Sequence, residues 1–310
     1  MEEKIEIMNL LQSKQVLEHE LQSLAYGSVE IRENESNKYI YVHYREDGVA
    51  LTKYVGEYSD ELYNLVLNNS IKAKQLKKQI REITKKLKQL NYTEEELSEK
   101  VEQNIDFAKR HLVDTIYKQA ILEGVATTFA DTESIIEGGK VNNMTSEDIL
   151  KIVNLKHAWE FILNKNVILS DTNFALLCEI NKMVEEGFYY TAGKVRNTPV
   201  TIGGPTWKPD LPIVSVIKEE LEEIFSKELD DIDRAIELLL YTMKKQVFID
   251  GNKRTAVIYS NHYLISKGKG IIAIPAELTQ EFKDLLIPYY EGKDEDKIRE
   301  FIKEKCYMEI

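Results

Sequence analysis

The sequence is short of several things, and each shortage excludes something. It has two cysteines in 310 residues, Cys178 and Cys306, far apart and without metal-ligand spacing. That excludes a disulfide-built scaffold and a cysteine-based zinc site, and points to reduced thiols in a cytosolic protein. Positive charge is not in excess. The formal net charge is -12, which argues against broad electrostatic binding to nucleic acid. No apolar run approaches the roughly 18 residues of a membrane span. The opening MEEKIEIMNLLQSKQ begins with acids and turns polar early, unlike a signal peptide. A cytoplasmic location without a membrane partner is the expectation. Hydrophobic residues at 43% are enough for a core, and charged residues at 30% for a solvated surface, so disorder is excluded as well.

What is present divides by period. Residues 1–25 place Ile5, Met8, Leu11 and Leu21 at helical spacing. GSVEIRE, KYIYVHYRE and ALTKYVGE then alternate and are rich in β-formers, with the turn signals NESN and EDG between them. This predicts a three-stranded antiparallel meander over residues 27–57. Residues 59–91 return to helical spacing, with Leu76, Ile80, Ile83, Leu87 and Leu90 on one stripe and Lys or Arg on much of the rest. Such a basic run reads as a solvated face in preference to a nucleic-acid surface. Thr93 and Glu96 suggest a capping box opening another helix to about Gly124, so residues 59–124 are expected to form an antiparallel pair.

Beyond residue 125 the text is helices joined by short loops: a capped start at Thr145 and Asp148, a helix ended by Gly187, and two successive helices meeting near residue 250. One stretch departs from this, GKVRNTPVTIGGPTWKPDLP, whose alternation and Gly/Pro content read as a β-hairpin flap. Lys194 and Arg196 at its start are expected in solvated roles. Tyr189, Tyr190, Tyr259 and Tyr263 read mostly as core, and Trp207 as the flap aromatic that touches a ligand or partner.

QVFIDGNKRTA, residues 246–256, carries the chemistry. A long apolar helix stops at Phe248, a turn follows and a helix begins. A helix start offers unpaired N–H groups and a positive dipole end to an anion. Gly251 lets backbone approach a ligand closely. Arg254 in the first turn can fork onto a phosphate, and Asp250 is a hard oxygen ligand suited to Mg²⁺. Phe248 would anchor the loop in the core. An ordinary helix–turn–helix corner with Asp-Gly as turn chemistry has the same local text, and these residues alone leave both readings open.

The stretch resembles the core motif of Fic/Doc (Fido-fold) proteins, H-x-F-x-(D/E)-(G/A)-N-(G/K)-R. Phe248, Asp250, Gly251, Asn252, Lys253 and Arg254 match it. Residues 195–212 are similar to the family's flap, R-x-x-x-V-x-I-G-G followed by prolines. ESIIEG partly resembles its inhibitory helix motif, (S/T)-x-x-x-E-G, with Glu137 and Gly138 in place and Ser134 one position off. The resemblance covers roughly residues 110–290. It implies a mainly α fold, a Fido-fold helical domain with a β-hairpin flap at 110–310. Residues 1–90 fall outside the resemblance, and residue period alone places a helix and small antiparallel β-meander at 1–58 and a helical hairpin at 59–109 before that domain.

The resemblance also implies roles. ATP and Mg²⁺ would lie along the loop, with Asp250 on the metal, Gly251, Asn252 and Lys253 on the α- and β-phosphates, and Arg254 on the terminal phosphate. AMP would pass to a hydroxyl of an unknown target protein docked on the flap at Val200, Thr201, Ile202, Gly203, Gly204 and Trp207. Glu137 would pair with Arg254 and bar the productive pose, an autoinhibition shared with Ser134 and Gly138.

The departure is Gln246, which stands where the motif has its histidine. An amide cannot take a proton near neutral pH, and losing a general base costs about 10²–10⁴ in rate. His262 lies eight residues beyond Arg254, about 12 Å along a helix, too far to substitute. Three expectations follow: a nucleotidyltransferase of weak or no activity, a catalytically dead protein whose partner binding is gated by nucleotide, or a phosphotransferase of the Doc kind, which Lys253 suggests. The target, the nucleotide preference and self-association are not written in the sequence.

Overall fold

The computed structural model describes residues 2–34, 37–46, 49–90, 92, 97–142, 144–202 and 207–310. The Thr93–Glu96 capping box, the flap glycines Gly203 and Gly204, and the centres of both meander turns lie outside the described residues. The chain forms two compact units, 1–94 and 95–310.

In the first unit, α1 (Glu2–Ser23) precedes β1 (Ser28–Asn34), β2 (Asn37–Glu46) and β3 (Val49–Glu57), and α2 (Asp60–Gln89) follows. The strands pair antiparallel in the order β1-β2-β3, with a register shift at Ile40/Tyr41. Alternation decides the faces. Ile40 and Val42 are fully buried with Val66 of α2, and Val29, Val55, Leu62 and Tyr63 pack around them. The opposite face carries contacts between the rings of Tyr41 and Tyr54 and the Arg32 guanidinium over Tyr41. Ser59 caps α2 by accepting from the Leu62 N–H.

The expected pairing of residues 59–124 is corrected here. The apolar stripe of α2, with Val66, Ala73, Leu76 and Leu87 buried, packs within the first unit, where α2 lies against α1. The next helix, α3 (Glu99–Arg110), belongs to the second unit. Its Asn104 exchanges two hydrogen bonds with the Gly270 backbone, 166 residues away. A buried amide with two fixed partners settles which unit a helix joins.

The second unit continues with α4 (Leu112–Leu122), α5 (Phe129–Ile136), α6 (Ser146–Ile162), α7 (Lys165–Ile168), α8 (Phe174–Val184), α9 (Val214–Ser226), α10 (Asp231–Lys245), α11 (Asn252–Ser266), α12 (Thr279–Tyr290) and α13 (Glu295–Phe301). Two short strands, β4 (Ile271–Ile272) and β5 (Tyr307–Met308), pair antiparallel near the end. Helix α11 is the axis: it is buried on all sides and packs on α3, α6, α7, α8, α10 and β4. Its polar residues are partnered. Asn261 bonds both backbone groups of Ile272, and His262 bonds Thr172 and the Val167 carbonyl. Burial pushes the His262 imidazole down to about 4, so it is neutral at pH 7. No helix among the described residues is long and apolar enough to cross a membrane.

The flap differs from the expected hairpin. Residues 195–202 and 207–213 carry no strand. Pro199, Pro209 and Pro212 remove ladder donors, and a side chain takes over the bonding. Arg196, expected in solvent, is 3% exposed. Its guanidinium donates to the carbonyls of Gln246 (2.6 Å), Thr198 (2.8 Å) and Asp210 (2.6 Å), tying both flap roots to the loop. Trp207 stacks on Tyr290 of α12 at 5.7 Å between ring centres.

Candidate functional site

The corner between α10 and α11 is over-determined by its own hydrogen bonds. Helix α10 starts at Asp230, whose carboxylate accepts from the Asp233 N–H, and ends at Gln246 in a left-handed conformation with φ 49°. A non-glycine residue there costs on the order of 1–3 kcal/mol and persists only when its surroundings hold it. Both ends of the Gln246 amide are held. Its Nε2 donates to the Met243 carbonyl at 2.6 Å, and its Oε1 accepts from Asn252 Nδ2 at 3.2 Å. Asn252 in turn accepts from the Phe248 N–H and donates to the Phe248 carbonyl. The Asn252 side chain, expected among the anion-binding groups, is therefore a brace inside the loop. Phe248 is buried as the anchor.

The far side of the loop is shaped for close approach. The Asp250 carboxylate accepts from the Gly251 N–H at 2.7 Å and is half exposed. Asn181 of α8 donates to the Asp250 carbonyl and to Thr255, and its Oδ1 accepts from the Gly193 N–H at the flap root. Gly251 has φ 72°, and a Cβ there would lie 2.3 Å from Glu185 Oε1. Only glycine fits. The first intrahelical bond of α11 runs from the Thr255 N–H to the Gly251 carbonyl, so the N–H groups of residues 252–254 have no acceptor within the helix.

Arg254 is 2% exposed. Behind it, Gln119 of α4 donates to the Arg254 carbonyl at 2.7 Å and accepts from the Trp159 indole N–H. In front, three carboxylates face the guanidinium: Glu185 at 2.7 Å, Glu123 at 3.4 Å and Asp250 at 3.7 Å. Glu123 also reaches Lys253 at 3.2 Å. None of this satisfies the guanidinium. Arg254 Nε and Nη1 are buried and have no hydrogen-bond acceptor. Buried donors without acceptors are costly, and here they belong to the residue best suited to grip a phosphate.

Glu137 was expected on Arg254, and the structure corrects this. It is the C-cap of α5, exposed, and makes no ion pair among the described residues. Ser134 lies in the last turn of the same helix, and Gly138 follows the cap. The glutamate on Arg254 from the neighbouring helix end is Glu123, the C-cap of α4. The sequence held a signal for it. ILEG at 121–124 has the same Glu-Gly corner after two aliphatics as IIEG at 135–138. Glu185 carried no such local mark, and Arg196 was marked only as the first residue of the flap motif.

Residues 171–264 match the Fic/DOC family. The matched Fic segment spans α8, the flap, α9, α10, the loop and nearly all of α11. Among solved structures the chain is similar to residues 134–508 of Fic-1 from C. elegans, with a TM-score of 0.53 and 17% identity over 76% of this chain and 72% of that one. It is similar to a Fic domain containing signaling protein from Bacteroides thetaiotaomicron, with a TM-score of 0.52 and 18% identity over 61% and 75% of the two chains. A Fic family protein from Desulfovibrio desulfuricans matches with a TM-score of 0.51 and 13% identity over 67% and 72%. No curated protein sequence matches the chain. At these identities the likeness is one of fold, and the fold is the Fic fold.

Proposed function

We propose that this corner binds ATP with Mg²⁺ and is the site of a Fic-type nucleotidyltransferase, directed at protein hydroxyls, in which Gln246 leaves little or no turnover. The observation that carries the reading is the buried Arg254 guanidinium, whose Nε and Nη1 have no acceptor beside a glycine-opened helix start. A triphosphate supplies the missing acceptors. The Asp250 carboxylate is half exposed and could hold the cation. No group of three metal-binding side chains exists among the described residues. That suits an ion that takes most of its ligands from phosphate and water. Gly251 and the N–H groups of Asn252 and Lys253 would face the α- and β-phosphates, and Arg254 the terminal one. The flap around Val200, Thr201, Ile202 and Trp207 would dock the target.

Each residue then has a defined task. Arg254 and the α11 N-terminus would stabilise charge on the phosphates. Gln246 cannot remove the target's proton, so that step lacks a base. Glu123 occupies Lys253 and Arg254 and is the autoinhibitory group in this reading. Equilibrium titration with MgATP, then labelling with ATP carrying ³²P at the α- or γ-position, tests the proposal. Weak or no binding to wild type, clear binding to Glu123→Gly, and α-label transfer appearing with Gln246→His support it. Transfer of the γ-label instead would point to the phosphotransferase alternative.

A second reading, a nucleotide-gated binding protein without turnover, has one observation in its favour. Both ends of the Gln246 amide are consumed within the loop, so the residue serves the loop's shape. MgATP binding with no label transfer, even after Gln246→His, would favour it.

A further inference from the structure

We propose that Glu185 is a second internal anion in the phosphate cradle, so that a nucleotide must displace two carboxylates from Arg254. This rests on the nucleotide reading above. Glu185 is the C-cap of α8 and 2% exposed. Its Oε1 lies 2.7 Å from Arg254 Nη2 and against the bare Cα of Gly251, at the start of α11. It therefore sits where an anion would meet the helix N-terminus.

Glu185 Oε1 is held there without a hydrogen bond, although it is within 2.7 Å of a guanidinium nitrogen, because the alignment is poor. Glu185 stands at the C-terminal end of α8, where the helix dipole opposes a carboxylate. Burial pushes its carboxyl up to about 7, and the nearby Arg254 offsets this only in part. A phosphate oxygen that met the guanidinium in its plane would bind better than this carboxylate does. Release needs only a side-chain rotation, because Asn181, one turn earlier, keeps α8 on the loop through Asp250 and Thr255. A purely structural Glu185 makes the opposite demand. It would serve only to neutralise Arg254, and its removal would weaken the fold with no gain in ligand binding.

The test uses wild type, Glu123→Gly, Glu185→Gln and the double variant. Each is titrated with MgATP by calorimetry. Each is also treated with phenylglyoxal, with Arg254 modification read by mass spectrometry. Each single variant is expected to tighten MgATP binding about tenfold, the double variant to exceed both, and Arg254 modification to rise in the same order. If Glu123→Gly alone gives the full gain in both measurements and Glu185→Gln adds nothing, the second guard is refuted. If Arg254 modification rises stepwise while no variant binds MgATP, the guard stands and the nucleotide reading falls. Should Glu185→Gln not fold, Glu185→Asp, which draws the carboxylate back from Arg254, is measured in its place with the same expectation.

Discussion

Two corners of this molecule are nearly identical in local text and backbone, and only one meets Arg254. Ile121-Leu122-Glu123-Gly124 ends α4, and Ile135-Ile136-Glu137-Gly138 ends α5. Both glutamates are C-caps, and the following glycines have φ 78° and 79°. Glu123 is almost enclosed and lies against Lys253 and Arg254, whereas Glu137 is in solvent. Local sequence therefore set the cap and the turn but not the role. The role came from what packs next to the helix end. Gln119, one turn before Glu123, is bonded to the Arg254 carbonyl, so α4 is fixed against α11 at that level. Among the described residues, α5 has no hydrogen bond to α11. The lesson is that a Glu-Gly helix end is a component, and the helix that carries it decides its use.

The largest expected effect comes from removing the partner that distinguishes the corners. Arg254→Ala would leave Glu185 buried and unpaired and Glu123 without its deeper cation. It should cost about 3–5 kcal/mol of stability in urea unfolding and abolish any MgATP binding. Unchanged stability would mean the three carboxylates do not depend on Arg254, and the contrast with Glu137 would lose its physical basis.

Next is a pH test that separates Glu185 from His262. Glu185 is raised by burial from its ordinary 4.5 to about 7. Its contribution to stability is full below pH 4.5 and is lost as pH rises through 7. The span corresponds to at most about 3 kcal/mol. His262 is lowered from 6.5 to about 4, so its contribution is present above pH 6.5 and is lost as pH falls through 4, by a similar amount. Glu185→Gln should therefore remove the loss on the alkaline side and keep the loss on the acid side. Retention of both slopes in the variant would contradict the burial of Glu185 as a titrating group.

Smaller effects come from the flap and the exposed corner. Arg196→Lys keeps the charge but loses the fork to Gln246, Thr198 and Asp210. It should speed hydrogen exchange of residues 195–212 and cost about 2 kcal/mol. Protection equal to wild type would show that the flap roots are held by something else. Glu137→Ala should change stability by no more than about 0.5 kcal/mol. A larger change would mean the exposed corner is not idle.

Much of this was legible from the sequence where period and turn chemistry act locally. The meander, the Thr145 cap, the helix end near Gly187 and the start of α11 after the Asp250-Gly251 turn all follow from neighbouring residues. The parts that were not legible depend on partners far along the chain. Arg196 read as a solvated residue because its acceptors lie up to 50 residues away. Asn104 joins α3 to Gly270 across 166 residues, which moved that helix out of the expected hairpin. Asn252 read as a ligand group, yet its amide is spent on Phe248 and Gln246 within the loop. Glu185 lies in an unremarkable run, Val184-Glu185-Glu186-Gly187, and only the packing of α8 on α11 brings it to Arg254.

The most direct measurement compares the two corners in one experiment: calorimetric titration of MgATP into wild type, Glu123→Gly and Glu137→Gly. Binding should tighten about tenfold in Glu123→Gly and stay at the wild-type level in Glu137→Gly. Tightening in Glu137→Gly with none in Glu123→Gly, or no nucleotide binding to any of the three, would contradict the assignment of Arg254 as a phosphate-receiving group guarded by Glu123.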